Sequence, residues 1–151
     1  MASKKWAYED LPEGATVALG SKTVTAEEII EFASEFDAQP MHLDEAAGKA
    51  SILGGLSASG WHTCVIMMRL LADGMLLDSS SMGSPGIEEM KWLKPVRPGD
   101  QISARITVLD KRVSKSRPEI GFARLQIELL NQRGETVGHE VHTHMFGRRS
   151  A

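Results

Sequence analysis

The stretch Gly60-Trp61-His62-Thr63-Cys64-Val65-Ile66-Met67-Met68-Arg69-Leu70-Leu71-Ala72-Asp73-Gly74-Met75-Leu76-Leu77 decides the fold. Only His62, Arg69 and Asp73 carry basic or acidic side chains in it, and Arg69 and Asp73 stand at i, i+4 where they can pair. A helix that is apolar all round is a helix buried all round, so this segment predicts a central helix enclosed by the rest of the chain. Met67, Met68 and Met75, with Met82 and Met90 just beyond, suit adaptable packing around it, and Cys64 reads as core filler. Ser59 is placed to cap the helix, and Gly54-Gly55 breaks the chain before it. Ser79 to Gly86 is rich in Ser, Gly and Pro and reads as a flexible loop.

Downstream of that loop the period changes from helix to strand. Met90 and Trp92 alternate with Lys91 and Leu93; Pro95, Pro98 and Gly99-Asp100 mark a turn. Ile102, Ala104, Ile106 and Val108 alternate with polar residues, as do Ala123, Leu125, Ile127 and Leu129. After the Asn131-Gln132-Arg133-Gly134 turn, Val137, Val141 and Met145 share a face. These are antiparallel strands with one buried side. One over-apolar helix plus such a meander predicts an α+β fold in which an antiparallel sheet wraps around the helix.

Upstream, a short strand is expected at Thr16-Val17-Ala18-Leu19, ending at Gly20. Thr25-Ala26-Glu27-Glu28 is a capping box, and Ile29, Phe32, Ala33 and Phe36 follow at helical spacing. Pro40 disfavours helix at Gln39, so this helix ends near Phe36 or Asp37. Asp44 can cap a second short helix through Ala50.

The chain has 151 residues, one domain's worth, and its composition is 42% hydrophobic and 25% charged, as in soluble globular proteins. A net charge of −3 offers no basic surplus for a phosphate backbone, which excludes general nucleic-acid binding. The single cysteine excludes an internal disulfide and fits a reducing cytoplasm. No segment reaches the roughly 20 apolar residues of a membrane span, and the first residues do not read as a secretory signal.

Three constellations could carry chemistry. Asp37 and His42, joined by a turn containing Pro40, could both face one water molecule and move its proton; by spacing alone, two ordinary polar loop residues are the commoner reading. Gly54-Gly55-Leu56-Ser57-Ala58-Ser59-Gly60 feeds the N-terminus of the apolar helix, where free N–H groups can meet an oxyanion, or where Ser59 is simply a cap. His139-Glu140-Val141-His142-Thr143-His144 resembles a metal cluster, but only His142 and His144 share a face of a strand, and an exposed strand face is expected there. No metal is assigned. His62 is expected to be a satisfied interior histidine.

The spacing of these pieces resembles the MaoC-like dehydratase, or (R)-specific enoyl-CoA hydratase, family. Asp37-Ala38-Gln39-Pro40-Met41-His42-Leu43-Asp44 is similar to its D-x-N-P-x-H-x-D motif, and Leu53 to Gly60 is similar to its F-G-G-x-I-A-H-G motif. Trp92-Leu93-Lys94-Pro95-Val96-Arg97-Pro98-Gly99-Asp100 looks like its P-V-x-x-G-D turn. The likeness covers about residues 10–146. Gln39 stands for the family's Asn and Ser59 for its His, while Trp61 and His62 replace small or aliphatic residues.

The resemblance implies a single hotdog domain over residues 1–151 that adds water to, or removes it from, a coenzyme A thioester. Asp37 and His42 would be catalytic, and Gln39, Gly54, Gly55, Ser59 and Gly60 would contact substrate, with the Gly60 N–H on the thioester carbonyl. Lys91, Lys94 and Arg97 are candidates for the coenzyme's phosphates; a solvated strand edge guarded by lysines accounts for them equally well. No cofactor is implied beyond the substrate's own coenzyme A. The partners implied are the acyl-CoA substrate and a second copy in a homodimer or higher homo-oligomer, with no nucleic acid and no membrane. A hotdog acyl-CoA thioesterase and a non-catalytic acyl-CoA-binding protein are the alternatives.

Overall fold

A computed structural model describes residues 3–149. Five strands, β1 (Thr16–Thr23), β2 (Ile87–Trp92), β3 (Gln101–Val113), β4 (Ile120–Leu130) and β5 (Thr136–Gly147), form one antiparallel sheet in the order β1-β3-β4-β5-β2. Three helices, α1 (Ala26–Phe36), α2 (Glu45–Lys49) and α3 (Gly60–Gly74), fall between β1 and β2. The sheet closes around α3: Ile66, Met67, Leu70 and Leu71 of the helix share one core with Ile102, Ile106, Leu125 and Ile127 of β3 and β4. This is the hotdog arrangement. At roughly 25 cal/mol per Å² of apolar surface, this shared interior is the main force holding helix and sheet together.

The local signals act much as their chemistry dictates. The Thr25 hydroxyl accepts the Glu28 N–H at 3.1 Å, but the Glu28 carboxylate turns to Lys22 (3.0 Å), so half of the capping box forms. Helix α1 stops at Phe36, four residues before Pro40. The Asp44 carboxylate accepts the Ala47 N–H at 2.9 Å and starts α2, and the Ser59 hydroxyl accepts the Trp61 N–H at 3.2 Å and starts α3. Strand β1 runs past the expected stop to Thr23, because an irregularity at Gly20 (φ +99°) lets the chain turn without leaving the ladder.

Three expectations need correction. Helix α3 ends at Gly74, not Leu77, where the glycine's bare Cα lies against β1; a Cβ there would sit 2.6 Å from the Leu19 carbonyl oxygen. The helix is also not enclosed all round. Trp61, Val65 and Met68 form an uncovered side, and the half-exposed Trp92 of β2 meets Trp61 edge-on at 5.7 Å between rings.

The third correction concerns β5. Glu140, His142 and His144 lie opposite Ile127, Leu125 and Ala123, so they occupy the sheet's interior face and not an exposed one. Glu140 is only 1% exposed. Its carboxylate accepts from His142 Nδ1 at 2.8 Å, His142 Nε2 meets His144 Nδ1 at 3.1 Å, and His144 Nε2 meets the Ser81 hydroxyl at 2.6 Å. The row is self-satisfying, as buried polar groups must be. Val141 and Met145 fall on the other face.

Candidate active site

The end of α1 and the turn after it place the first pair. Asp37 caps α1 at its C-terminus, with its N–H on the Ala33 carbonyl (2.9 Å), and its own carbonyl accepts the Gln39 N–H (2.8 Å). Pro40 then opens a single turn that carries His42 back toward α3. Asp37 Oδ2 and His42 Nε2 stand 3.5 Å apart, close enough for one water molecule to touch both.

Each member of the pair is held by specific partners. The Ser59 hydroxyl donates to Asp37 Oδ2 at 2.7 Å, and the Gln39 amide donates to Oδ1 at 2.7 Å. The Ser59 hydroxyl, the Gln39 amide and, more weakly, the nearby imidazole hold the Asp37 carboxyl below its usual value, against partial desolvation. The carboxyl is therefore ionised near neutral pH. The buried His42 ring bonds the Ser57 carbonyl through Nδ1 at 2.7 Å. A carbonyl only accepts, so Nδ1 carries the hydrogen and the neutral ring keeps its lone pair on Nε2, the side facing Asp37.

A cleft of about 520 Å³ opens beside this pair, lined by His42, Ser57, Ala58, Gly60, Trp92 and Val96 among others. The first residue of α3, Gly60, faces it, and the Gly60 N–H makes no hydrogen bond among the described residues. Its orphan N–H sits at the positive end of the helix dipole, where partial negative charge on a ligand oxygen is favoured. The Trp92 indole lies directly on Gly60: a Cβ on residue 60 would fall 2.5 Å from Trp92 Cε2. Apart from Thr63 and Lys94 the rest of the wall is apolar, with Met41, Leu53 and Pro95 in it, which suits an acyl chain.

The structure brings together Asp37, Gln39, His42 and Ser59, and His42 and Gly60 both line the cleft. The Asp37 carboxylate stands beside His42, while Gln39 and Ser59 bond that carboxylate and are not on the lining. Gly54 (φ +73°) and Gly55 shape the loop below; a Cβ on Gly55 would lie 2.9 Å from Arg97 Nη1. The three basic candidates separate. Lys94 lines the cleft and pairs with Glu135, Lys91 pairs with Glu89 at 3.1 Å outside it, and Arg97 turns inward onto the loop.

Two residues were not singled out by spacing. The Ser57 carbonyl fixes the His42 tautomer, and no side-chain pattern announces a backbone acceptor. Trp92 reads in the sequence as one alternating strand residue, and only its contact with Gly60 shows it walling the cleft. His62, expected to be satisfied, is not: it stacks on Phe32 (4.8 Å between rings), and its buried Nδ1 has no partner among the described residues. Burial holds its pKa below the usual histidine value.

With this geometry in place, likeness to known proteins becomes informative. A family model described as MaoC like domain matches residues 10–125. That is well over half of the 151 residues, and the chain belongs to the MaoC-like dehydratase family. The chain is 30% identical over 107 residues to an (R)-specific enoyl-CoA hydratase of Rhodospirillum rubrum, covering 67% of this chain and 68% of that protein. It is 31% identical over 113 residues to the uncharacterized protein YdeM of Bacillus subtilis, covering 75% of this chain and 79% of that one. The crystal structure of a MaoC-like dehydratase from Rhodospirillum rubrum superposes with a TM-score of 0.89 at 42% identity, covering 96% of this chain and 99% of the other. Among the described residues no helix is long and apolar enough to cross a membrane.

Proposed function

We propose that the protein is a hydro-lyase acting on a trans-2-enoyl-CoA, or in reverse on a 3-hydroxyacyl-CoA. The observation that carries this reading is the placement of the ionised Asp37 and the Nε2 lone pair of His42 3.5 Å apart, beside a cleft that the first residue of α3 also lines. The thioester carbonyl takes the Gly60 N–H, which stabilises the enolate-like charge that develops on oxygen. One donor of this kind is typically worth about 2.7–4 kcal/mol of barrier. The carboxylate and imidazole hold a water at C3; as its oxygen bonds to C3 one of them takes a proton, and a proton is returned to C2. Positioned proton transfer adds roughly 10²–10⁴-fold. No cofactor takes part beyond the coenzyme A of the substrate, and Lys94, exposed beside the cleft, is the basic candidate best placed for a phosphate.

The reading includes a homodimer acting in the cytoplasm. Among the described residues strand β2 pairs only with β5, and at that edge the exposed Trp92 meets Trp61 on the uncovered side of α3. Light scattering at micromolar concentration is expected to return twice the 16.5 kDa of the chain; a monomer contradicts this part.

The activity test is a panel of trans-2-enoyl-CoAs, followed by loss of the conjugated-enone absorbance with chiral analysis of the product. Stoichiometric hydration supports the reading. Release of free thiol from saturated acyl-CoA identifies a thioesterase instead, and thermal stabilisation by acyl-CoA without turnover identifies a binding protein.

A further inference from the structure

We infer that Arg97 is a positioning residue, acting on His42 through the loop 53–57, and not a ligand of the coenzyme's phosphates; the inference rests on the function proposed above. Arg97 Nη1 donates to the Ser57 hydroxyl at 3.0 Å and to the Leu56 carbonyl at 3.4 Å, and Nη2 donates to the Leu53 carbonyl. Three acceptors of one loop thus converge on a single guanidinium, which has no acceptor capacity of its own and offers its donors in a rigid planar fork. The arginine is itself anchored. Its main-chain N–H donates to Asp100 Oδ2 at 2.8 Å, and Asp100 is buried, with Oδ1 accepting from Gln132 at 2.9 Å.

The loop so held carries the atom that orients His42. The Ser57 carbonyl accepts from His42 Nδ1 at 2.7 Å, in the same residue whose hydroxyl meets Arg97. The Glu45 carboxylate accepts the Leu56 N–H at 3.1 Å, so a cation and an anion grip adjacent peptides. Gly55 between them lets the guanidinium approach: a Cβ there would be 2.9 Å from Nη1. Moving the guanidinium out to bind phosphate would break three hydrogen bonds and leave the Ser57 peptide held on one side only, by the Ala58 N–H on the Val96 carbonyl at 2.9 Å. The acceptor that keeps the imidazole's lone pair facing Asp37 would then be less firmly placed.

The test compares Arg97→Ala, Arg97→Lys and Ser57→Ala with the wild type on a trans-2-enoyl-CoA and on the matching enoyl-pantetheine, which lacks the nucleotide phosphates. Arg97→Ala is expected to lower kcat on both thioesters alike, by up to about 100-fold, the loss a small misplacement of a catalytic group brings. KM is expected to change little, with partial recovery in Arg97→Lys and a smaller loss in Ser57→Ala. A rise in KM confined to the CoA ester, with the pantetheine ester unaffected, overturns the inference in favour of phosphate binding; unchanged kcat overturns it too. If Arg97→Ala does not fold, Arg97→Lys and Ser57→Ala decide by the same criteria. A second readout needs no turnover: ¹⁵N chemical shifts of the His42 ring report its tautomer. The wild type is expected to show the hydrogen on Nδ1, and Arg97→Lys a mixture; the same single tautomer in both overturns the inference. Absence of wild-type turnover with the expected tautomer change refutes the proposed activity and leaves the positioning role standing.

Discussion

Replacing His144 by Gln removes one proton-binding ring from the buried row on β5 while keeping a side chain that can both donate and accept. Unfolded, an imidazole titrates near 6.5; in the fold, burial first and the neighbouring His142 second push His144 down to about 4. Between those values the unfolded chain binds more protons than the native one, so the unfolding free energy rises with pH across the window. The contribution is complete above the unfolded value and is lost as the pH falls through it toward 4. Going from about pH 7.5 to about pH 4.5, the linkage removes roughly 2.5 kcal/mol from the wild type and nothing at this position from His144→Gln. Urea unfolding followed by tryptophan fluorescence, at one protein concentration and a series of pH values, measures both proteins. The stability advantage of the wild type is expected to shrink by about that amount as the pH is lowered. His62, whose pKa burial also lowers, contributes to both proteins and cancels in the difference. Parallel stability curves for the two proteins would mean that the fold does not hold His144 neutral across this range.

Two further predictions concern the cleft. Ser59→Ala removes the principal donor to Asp37 and the cap of α3, so stability falls by about 0.5–2 kcal/mol. Losing that donor lets the Asp37 pKa rise, so the acidic limb of the pH–rate profile moves to higher pH; an unmoved limb contradicts the role given to Ser59. Gly60→Ala drives a methyl group into the Trp92 indole, and thermal or urea unfolding is expected to show a loss of about 1–3 kcal/mol with a larger proportional loss of hydration. Undiminished stability and rate would mean the indole does not rest on Gly60.

Much of this arrangement is legible in the chain because local chemistry and tertiary packing agree there. Thr25 and Pro40 bracket α1, Ser59 starts α3, and the alternation from Ile102 to Val108 faces the core as its period requires. The Asp37–His42 turn is only half legible: a helix end and a proline bring two residues five apart to one place, but spacing alone favours ordinary loop residues, and the resemblance of two motifs in order is what singles them out. What local pattern misses is decided by contacts distant in sequence. Gly74 ends its helix because β1 passes over it, and Arg97 turns inward because a loop some forty residues earlier offers three acceptors. The interior place of Glu140, His142 and His144 follows from the register of β5 on β4, which no hydropathy pattern encodes when the inward residues are polar. The bare side of α3 is illegible because a stretch apolar all round does not say which of its faces the fold leaves uncovered.

The most direct measurement is the hydration rate of a trans-2-enoyl-CoA by the wild type, Asp37→Asn and His42→Ala, each checked by circular dichroism for an intact fold. The wild type is expected to hydrate the substrate, and each variant to lose at least about 10²-fold, as removal of a positioned proton-transfer group requires. Near-normal turnover in either folded variant would contradict the roles given to Asp37 and His42.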